Sequence, residues 1–335
     1  MNPTGPLPAM LEKLRDTTMV VWGDLMLDTY LFGRTSRLSR EAPVVVVQKE
    51  GEEHRLGGAA NTAANIAALG ASVTLFGAVG TDPAGDTLLK LLEKAGVNTG
   101  HLLRRPEPTA IKTRVLAGAT GTTRQQVLRI DEDSQSSPPP ATEKSLLQAL
   151  ELEMSNAQGL VISDYGHGMA TAGVGRLGAA LHQAQKVVCA DSRAQLSEFR
   201  DLSAVTPNHP EAEALVGFAI DGPKSYARAG EAILEKLGAA QCLLTLGKKG
   251  MSLFQAEGAP DTIDVVGPDQ VTDVTGAGDT VIAAYATATA AGIPPGYAMR
   301  LANYAASIVV EKLGTASATP TALLDRAKRY PIEWP

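Results

Sequence analysis

The chain has 335 residues, of which 44% are hydrophobic and 20% charged, and its formal net charge is −6. This composition is typical of a folded globular protein, and the acidic balance argues against a nucleic-acid-binding surface, which needs a basic field. No apolar stretch approaches the ~20 residues of a membrane span, and the N-terminus carries no signal-peptide pattern, so we expect a cytoplasmic protein without a membrane partner.

Short β-branched runs alternate along the chain with longer helical patterns, which is typical of a mostly parallel sheet covered by helices. The predicted strands are Met19–Trp22, Ser72–Phe76, Leu160–Ile162, Val187–Cys189 and Cys242–Thr245. The predicted helices include Asn61–Leu69, Asp86–Lys94, one that starts near Glu211 and one over Thr280–Ala291. Cys189 and Cys242 lie in apolar runs, and we expect both to be buried thiols rather than a disulfide.

Two segments, about 29–56 and 110–130, break this rhythm because they alternate apolar and polar residues with little helical pattern. We predict hairpin strands there, forming a small antiparallel sheet that projects from a single domain spanning 1–335. Such an appendage commonly acts as a lid or a dimer surface, although an ordinary edge hairpin fits the pattern equally well.

The segment Gly276-Ala277-Gly278-Asp279 stands directly before a predicted Ala-rich helix. Its small residues allow a sharp turn, and the free amides at a helix N-terminus favour a bound anion. A carboxylate beside an anion site makes chemical sense if Asp279 accepts a hydroxyl proton while the amides of 276–278 stabilise a migrating phosphoryl group. The alternative is that Asp279 only caps the helix.

A second glycine turn, Gly57-Gly58, opens the helix that carries Asn61, whose amide offers a donor and an acceptor to sugar hydroxyls. Asp24 follows the first strand, where ligands bind in an open α/β sheet, and Asp28 is a second candidate nearby. No G-x-x-x-x-G-K-[ST] motif occurs, which excludes a P-loop enzyme. No G-x-G-x-x-G turn follows the first strand either.

These two glycine motifs resemble the N-terminal and C-terminal signatures of the ribokinase-like (PfkB) carbohydrate kinases. The resemblance implies a three-layer α/β/α sandwich with a β lid, ATP and Mg²⁺ as cofactors, and a homodimer formed through the lid. It implies nucleotide contacts at Asn208, Thr245, Gly247, Gly250, Thr275, Asn303 and Gly314.

The metal residues are also implied by the resemblance rather than by spacing. Asn208 and Glu211 would organise Mg²⁺ through water, since Mg²⁺ keeps several waters and takes few protein ligands. Their alternative role is a proline turn with a glutamate at a helix start. Asp273 would help bind K⁺, as in some family members, or act only as a turn residue.

Within the family, the chain is most similar to the D-glycero-β-D-manno-heptose 7-phosphate kinases, above all in the run Ser36-Arg37-Leu38-Ser39-Arg40-Glu41-Ala42-Pro43-Val44. A phosphorylated sugar needs cations, and Lys112, Arg114 and Arg129 lie in further matching segments. Asp164, in Ser163-Asp164-Tyr165-Gly166, is a further substrate candidate. The resemblance implies transfer of the ATP γ-phosphoryl group to the C1 hydroxyl.

The chain departs from those kinases at Gly166-His167, where they often have a lysine, and at Ser192-Arg193, where many read Pro-Lys. Both changes alter basic positions near the phosphates and leave the residues expected to transfer the phosphoryl group intact. The open alternatives are the same chemistry on ribose, fructose or fructose 6-phosphate, and a sugar-phosphate-binding regulator without turnover. An aspartate at 279 favours the enzyme, because a pure binder gains nothing from a carboxylate beside phosphates.

Overall fold

The computed structural model describes residues 4–119, 122–134, 136–193, 195–268 and 271–335. Its helices are α1 Leu7–Arg15, α2 Ala59–Ala68, α3 Pro83–Lys94, α4 Pro140–Glu153, α5 Ala172–Gln183, α6 His209–Val216, α7 Pro223–Leu237, α8 Ala277–Ala290, α9 Pro295–Val309 and α10 Pro320–Arg329. Its strands are β1 Thr18–Gly23, β2 Leu25–Leu38, β3 Val45–Gly58, β4 Ser72–Gly80, β5 Asn98–Arg105, β6 Ala110–Gly118, β7 Gln125–Glu132, β8 Gly159–Asp164, β9 Val187–Ser192, β10 Ala204–Val205, β11 Gln241–Thr245, β12 Met251–Gln255 and β13 Asp261–Ile263.

Within the described residues, the main sheet has the strand order β13-β12-β11-β10-β9-β8-β1-β4-β5. Its pairs from β5 to β11 are parallel, and β12 and β13 continue it in antiparallel pairing. The carboxyl ends of β1, β4, β8, β9 and β11 therefore meet at one edge, which is where ligands bind in an open α/β sheet.

Alternating side chains of the parallel strands fill two cores, one on each face of the main sheet. Met19 and Val21 of β1 pack with α1, α2, α3, α8, α9 and α10, whereas Val20 and Trp22 pack with α4, α5, α6 and α7. Because strands buried on both faces need apolar residues throughout, the sequence pattern for these strands was unambiguous. The predicted three-layer arrangement is confirmed, as are the buried free thiols of Cys189 and Cys242.

The small sheet is the second sheet of the described residues, with the order β3-β2-β6-β7. Its hairpins β2–β3 and β6–β7 were predicted, but the prediction of a wholly antiparallel sheet was wrong, since β2 and β6 pair in parallel. The reason is that both hairpins leave the same edge of the main sheet, so their outgoing strands run in the same direction. Residues 120 and 121, in the predicted turn of the second hairpin, lie outside the described residues.

Helices α2 and α8 begin next to each other at the carboxyl edge of the main sheet, under the small sheet. Each starts at a glycine with positive φ, +58° at Gly58 and +76° at Gly276. Helix α8 is built largely of alanine and threonine and is buried along most of its length, which allows close packing against α2 and α9. In the part of the chain that the structure describes, no helix is both long and apolar enough to cross a membrane.

Candidate active site

Asp279 lies in the first turn of α8, and its side chain is buried, with a relative exposure of 2%. The Asn61 side-chain amide donates a hydrogen bond to Asp279 Oδ2 (2.8 Å), and the Tyr165 hydroxyl donates one to Asp279 Oδ1 (2.5 Å). Asn61 belongs to α2 and Tyr165 to the loop after β8, so three separate elements fix the carboxylate. The predicted base and the predicted Asn61 are thus brought into direct contact.

Burial raises the pKa of Asp279 to about 6, even though the hydrogen bonds from Asn61 and Tyr165 and the charge of Arg193 lower it. A carboxylate with this pKa is mostly ionised at neutral pH and accepts a proton more readily than an ordinary aspartate. The Asp279 side chain accepts no hydrogen bond from an amide of its own helix, so it does not act as a helix cap. Its raised pKa suits a general base.

Removing the Tyr165 hydroxyl is expected to change the pH dependence of the enzyme. In Tyr165→Phe the Asp279 carboxylate loses a donor that stabilises its ionised form, so the pKa of Asp279 rises above about 6. Because the ionised form is the active base, the acidic limb of the kcat/KM profile should move to higher pH. Comparing Tyr165→Phe with the wild type at the same ATP and Mg²⁺ cancels the ionisation of the substrate; an unmoved limb would contradict the expectation.

The turn before α8 has the geometry expected of an anion-binding segment. A Cβ on Gly276 would lie 2.6 Å from Asn61 Nδ2, so both its positive φ and its surroundings require glycine. The predicted role of Ala277 is not supported in full, because its amide donates to the Val274 carbonyl (3.2 Å). Among the described residues, the amides of Gly276 and Gly278 have no protein acceptor and remain available to a ligand.

Asp24 and Asp164 hold the loop that carries Tyr165. The Asp24 carboxylate accepts hydrogen bonds from the amides of Tyr165 (2.8 Å), His167 (3.0 Å) and Met169 (2.9 Å). Asp164 accepts from the Gly166 amide (2.9 Å) and from the Ser192 hydroxyl. Both carboxylates are buried and engaged, so the structure favours a positioning role, and their contact with sugar stays a prediction.

Asp28 and Arg114 form a buried ion pair on the face of the small sheet that looks toward the site. Lys112 approaches the ring of Tyr165, with its Nζ 5.7 Å from the centroid. Gly57 packs against Asp28, where a Cβ would lie 2.8 Å from Oδ2, which explains this glycine. Lys112 is therefore the better placed of these two predicted cations for substrate, because Arg114 is already neutralised.

Arg129 shares this face but lies further out. It is the register partner of Arg114 across β6 and β7, and its guanidinium holds Asp131 in two hydrogen bonds of 2.8 and 2.9 Å. Its side chain is 51% exposed, so it is open to an approaching ligand. The predicted contact between Arg129 and substrate is neither supported nor opposed by this geometry.

Asn208 and Glu211 form a reciprocal cap at the start of α6. The Glu211 carboxylate accepts from the Asn208 amide (2.9 Å) and side chain (2.6 Å), and the Asn208 side chain accepts from the Glu211 amide (3.0 Å). This is the alternative role foreseen for the pair, and it also fixes the Glu211 carboxylate near Asp191 and Arg193. A metal role for Glu211 thus stays a prediction.

Asp191, near the end of β9, lies close enough to both Glu211 and Asp279 for their charges to affect it. Burial first, and then the charges of Glu211 and Asp279, raise the pKa of Asp191 to about 8. Gly278 would place a Cβ 3.9 Å from Asp191 Oδ2, so the acid also borders the anion-binding turn. Among the described residues, no group of three or more His, Cys, Asp or Glu side chains is arranged to hold a metal ion.

The predicted nucleotide residues lie before α6, at and after the end of β11, in the turn before α8, within α9 and in the loop after α9. Thr245 pairs with Asn208 in an isolated β-bridge, and no atom lies within 4 Å of the Cβ position of Gly247. Gly250 requires glycine, because its φ is +81° and a Cβ would lie 1.9 Å from the Ile263 carbonyl oxygen. Asn303 is buried and donates to the Asp264 carbonyl (2.7 Å), which indicates a structural role. Contact between these residues and a nucleotide stays a prediction.

Asp273 connects the turn before α8 with the loop after α9. Its carboxylate accepts from the Thr275 amide (2.9 Å), the Thr275 hydroxyl (2.7 Å) and the Gly314 amide (2.9 Å). Gly314, with φ +70°, packs against the Tyr30 ring of the small sheet. The turn role foreseen for Asp273 is therefore present, and cation binding by this carboxylate stays a prediction.

Sequence reasoning missed several residues of the site. Tyr165, Asp191 and Arg193 were noticed only as parts of segments, and Arg55 was not considered. Arg55 stacks over Tyr30 and donates to the carbonyls of Leu313 and Thr315, so it connects the small sheet with the loop after α9. The available signal was position, because Tyr165, Asp191 and Arg193 all stand at or just beyond the carboxyl ends of central parallel strands.

Comparison with known proteins agrees with this geometry. Residues 16–322 match the model of the pfkB family carbohydrate kinases. A bifunctional protein HldE of Trichlorobacter lovleyi is 38% identical over 321 residues, which are 94% of this chain; the chain spans 64% of that relative's length.

Solved structures show the same fold. Arabidopsis thaliana ribokinase, determined with ribose and ATP, superposes with a TM-score of 0.73 at 22% identity over 93% of this chain and 98% of its own. Escherichia coli phosphofructokinase-2 gives 0.76 at 20% identity, over 93% and 99% of the two chains. The fold is therefore ribokinase-like, and the chain belongs to the pfkB family of carbohydrate kinases.

Proposed function

We propose that the acceptor is D-glycero-β-D-manno-heptose 7-phosphate and that the product is the 1,7-bisphosphate. The reaction class, transfer of a phosphoryl group from ATP to a sugar hydroxyl, follows from the family. The sugar is supported by the segments that resemble the heptose 7-phosphate kinases and by the 38% identity to a bifunctional protein HldE. This chain spans only 64% of the length of that relative. The sugar is therefore proposed for this chain from its own residues as well as from the similarity.

The observation that carries the proposal is a base that faces cations on the small sheet. Lys112, Arg114 and Arg129 lie on the same face of β6 and β7 as Asp28, since alternate residues of neighbouring strands share a face. A sugar with its hydroxyl at Asp279 would extend beneath this face. A phosphate at the far end of the sugar then meets Lys112 and the exposed Arg129, whereas Arg114 is held by Asp28; a plain hexose or pentose does not need these cations.

The chain's own residues account for the proton and for the developing charge. Asp279 would take the proton of the acceptor hydroxyl, while Asn61 holds the carboxylate in place and the amides of Gly276 and Gly278 bind the phosphoryl oxygens. The small sheet would limit the access of water to the transferred group. Positioning and charge stabilisation make up nearly all of the catalysis in phosphoryl transfer.

Asp191 and Glu211 fit the divalent ion that the family's reaction requires. Burial and the neighbouring charges of Glu211 and Asp279 raise the pKa of Asp191 to about 8, and a divalent cation beside these carboxylates would stabilise their ionised forms. Asp191 and Glu211 would hold Mg²⁺ directly or through water, and the bound ion would offset negative charge on the phosphates of ATP. We also propose K⁺ near Asp273, since its loop borders the nucleotide and the small sheet.

A panel of acceptors tests the sugar. ADP release should be fastest with heptose 7-phosphate and at least about tenfold slower, as kcat/KM, with ribose, fructose or fructose 6-phosphate. Ribose and fructose carry no phosphate for the cations of the small sheet, and fructose 6-phosphate carries its phosphate at a different distance from the acceptor hydroxyl. Asp279→Asn measured in parallel supplies the background of ATP hydrolysis. Preference for an unphosphorylated sugar would refute the heptose 7-phosphate proposal and leave the kinase assignment intact.

We propose a homodimer that forms through the small sheet. Strand β7 is an edge strand whose residues are exposed, and its outward side chains include Leu128 (54% exposed) and Ile130 (47%). These alternate with Arg129, so they lie on the face of the small sheet away from the site. An exposed edge with apolar side chains is commonly covered by a partner, and a second copy of this chain offers a matching edge.

A further inference from the structure

Two cations from different sheets converge on one tyrosine ring beside the base. Arg193 directly follows β9 of the main sheet, and its guanidinium lies 4.3 Å from the centroid of the Tyr165 ring. Lys112, from β6 of the small sheet, lies 5.7 Å from the same centroid. The hydroxyl of this ring donates to Asp279 Oδ1 at 2.5 Å. Both cations therefore contact the residue that is hydrogen-bonded to the proton acceptor.

Neither cation is neutralised by an ion pair within the part of the chain that the structure describes. Arg193 is exposed, and its Nη2 lies 3.5 Å from the Tyr165 hydroxyl. The pKa of Lys112 is lowered, first by burial and then by the charge of Arg193, which shows that the two cations oppose each other. Two like charges that the fold brings together are stabilised when an anion binds beside them.

The surroundings of Arg193 identify which anion that is. The charged groups that act on its guanidinium are those of Tyr165, Asp279, Asp191 and Glu211. Asp279 is the base, and Asp191 borders the anion-binding turn at Gly278. Arg193 therefore lies where the phosphoryl group passes between donor and acceptor, not at the far end of the sugar.

We propose that Arg193 is a catalytic residue that binds the nonbridging oxygens of the phosphoryl group in transit. The acceptor hydroxyl loses its proton to Asp279 while its oxygen bonds to the γ-phosphorus. The bond from that phosphorus to the β–γ bridging oxygen breaks, and its electron pair leaves with ADP. Arg193 stays charged throughout and donates two N–H groups, a geometry for which the planar guanidinium is suited and an ammonium is not.

Arg193 has the freedom that this role requires. It is exposed and held by stacking rather than by a carboxylate, so the guanidinium can leave the Tyr165 ring at small cost when the phosphoryl group arrives. The inference deepens the proposed function by naming a further residue for it. It rests on phosphoryl transfer from ATP and not on the identity of the sugar.

Steady-state kinetics of Arg193→Gln and Arg193→Lys test the proposal with the best acceptor of the sugar panel. Arg193→Gln should lower kcat about 100-fold while the KM values for ATP and sugar change less than about threefold, because the contact exists mainly in the transition state. Arg193→Lys should recover part of the loss, since it restores charge but not two parallel donors. Arg228→Gln is the matched control, because Arg228 also stacks on a ring, that of Phe218 at 4.2 Å, and should keep its activity.

Binding of ADP with aluminium fluoride and Mg²⁺, measured by calorimetry, gives a second readout that needs no turnover. Arg193→Gln should weaken this complex at least about tenfold and leave the affinity for ADP alone unchanged. A kcat like that of the wild type would overturn the proposal. So would an increase in sugar KM at unchanged kcat, because Arg193 would then bind the sugar's own phosphate. If heptose 7-phosphate is not the acceptor, both readouts still apply with another sugar.

Discussion

Asp279→Asn is expected to lower kcat by roughly 100-fold or more, which is the scale of losing a general base. The amide has the size of the carboxylate but cannot accept the hydroxyl proton, so transfer slows while the pocket keeps its shape. ATP should bind nearly as well as in the wild type, because the amides of Gly276 and Gly278 are unchanged. The measurement combines ADP-release kinetics with calorimetric titration of ATP.

The control for this variant is Asp82→Asn at the start of α3. Asp82 caps its helix by accepting from the Gly85 amide at 2.7 Å, the role that was the alternative for Asp279. Asparagine also caps helices, so this variant should be as active as the wild type. Turnover of Asp279→Asn within about threefold of the wild type would contradict the assignment of the base.

Arg114→Met is expected to lower the free energy of unfolding by about 3–5 kcal/mol, because it leaves the carboxylate of Asp28 buried without its partner. The side chains of Arg114 and Asp28 are only 10% and 3% exposed, so water cannot replace the lost charge. The Arg114 guanidinium also covers the Tyr30 ring, 5.4 Å from its centroid. Urea unfolding monitored by circular dichroism measures the loss.

Two further variants separate charge burial from other causes of this loss. Arg129 is the register partner of Arg114 and holds Asp131 at an exposed position. Arg129→Met should lower the free energy of unfolding by less than about 1 kcal/mol. The double variant Asp28→Leu with Arg114→Met should regain most of the stability, because it removes both charges together. A single Arg114→Met variant that is as stable as Arg129→Met would contradict a buried ion pair.

Much of the main sheet could be predicted because its strands are buried on both faces. Val20, Val21 and Trp22 of β1 are all apolar for this reason, and the same holds for β8 and β11. The small sheet was harder, since alternation predicts hairpins but not how two hairpins pair. The parallel pairing of β2 with β6 follows from where both strands leave the main sheet, which no local pattern contains. Helix α1 was also missed.

The candidate site likewise has features that local sequence predicts and features that depend on tertiary packing. The Gly276-to-Asp279 turn and the Gly57-Gly58 turn could be predicted, because each depends on neighbouring residues whose small size and backbone conformation are local properties. Which side chains surround the base depends instead on how distant segments pack together. Asn61, Tyr165 and Arg193 come from distant parts of the chain and meet because α2, β8 and β9 end at one edge of the sheet. Burial and hydrogen bonding set the pKa of Asp279, and both exist only after that packing is complete.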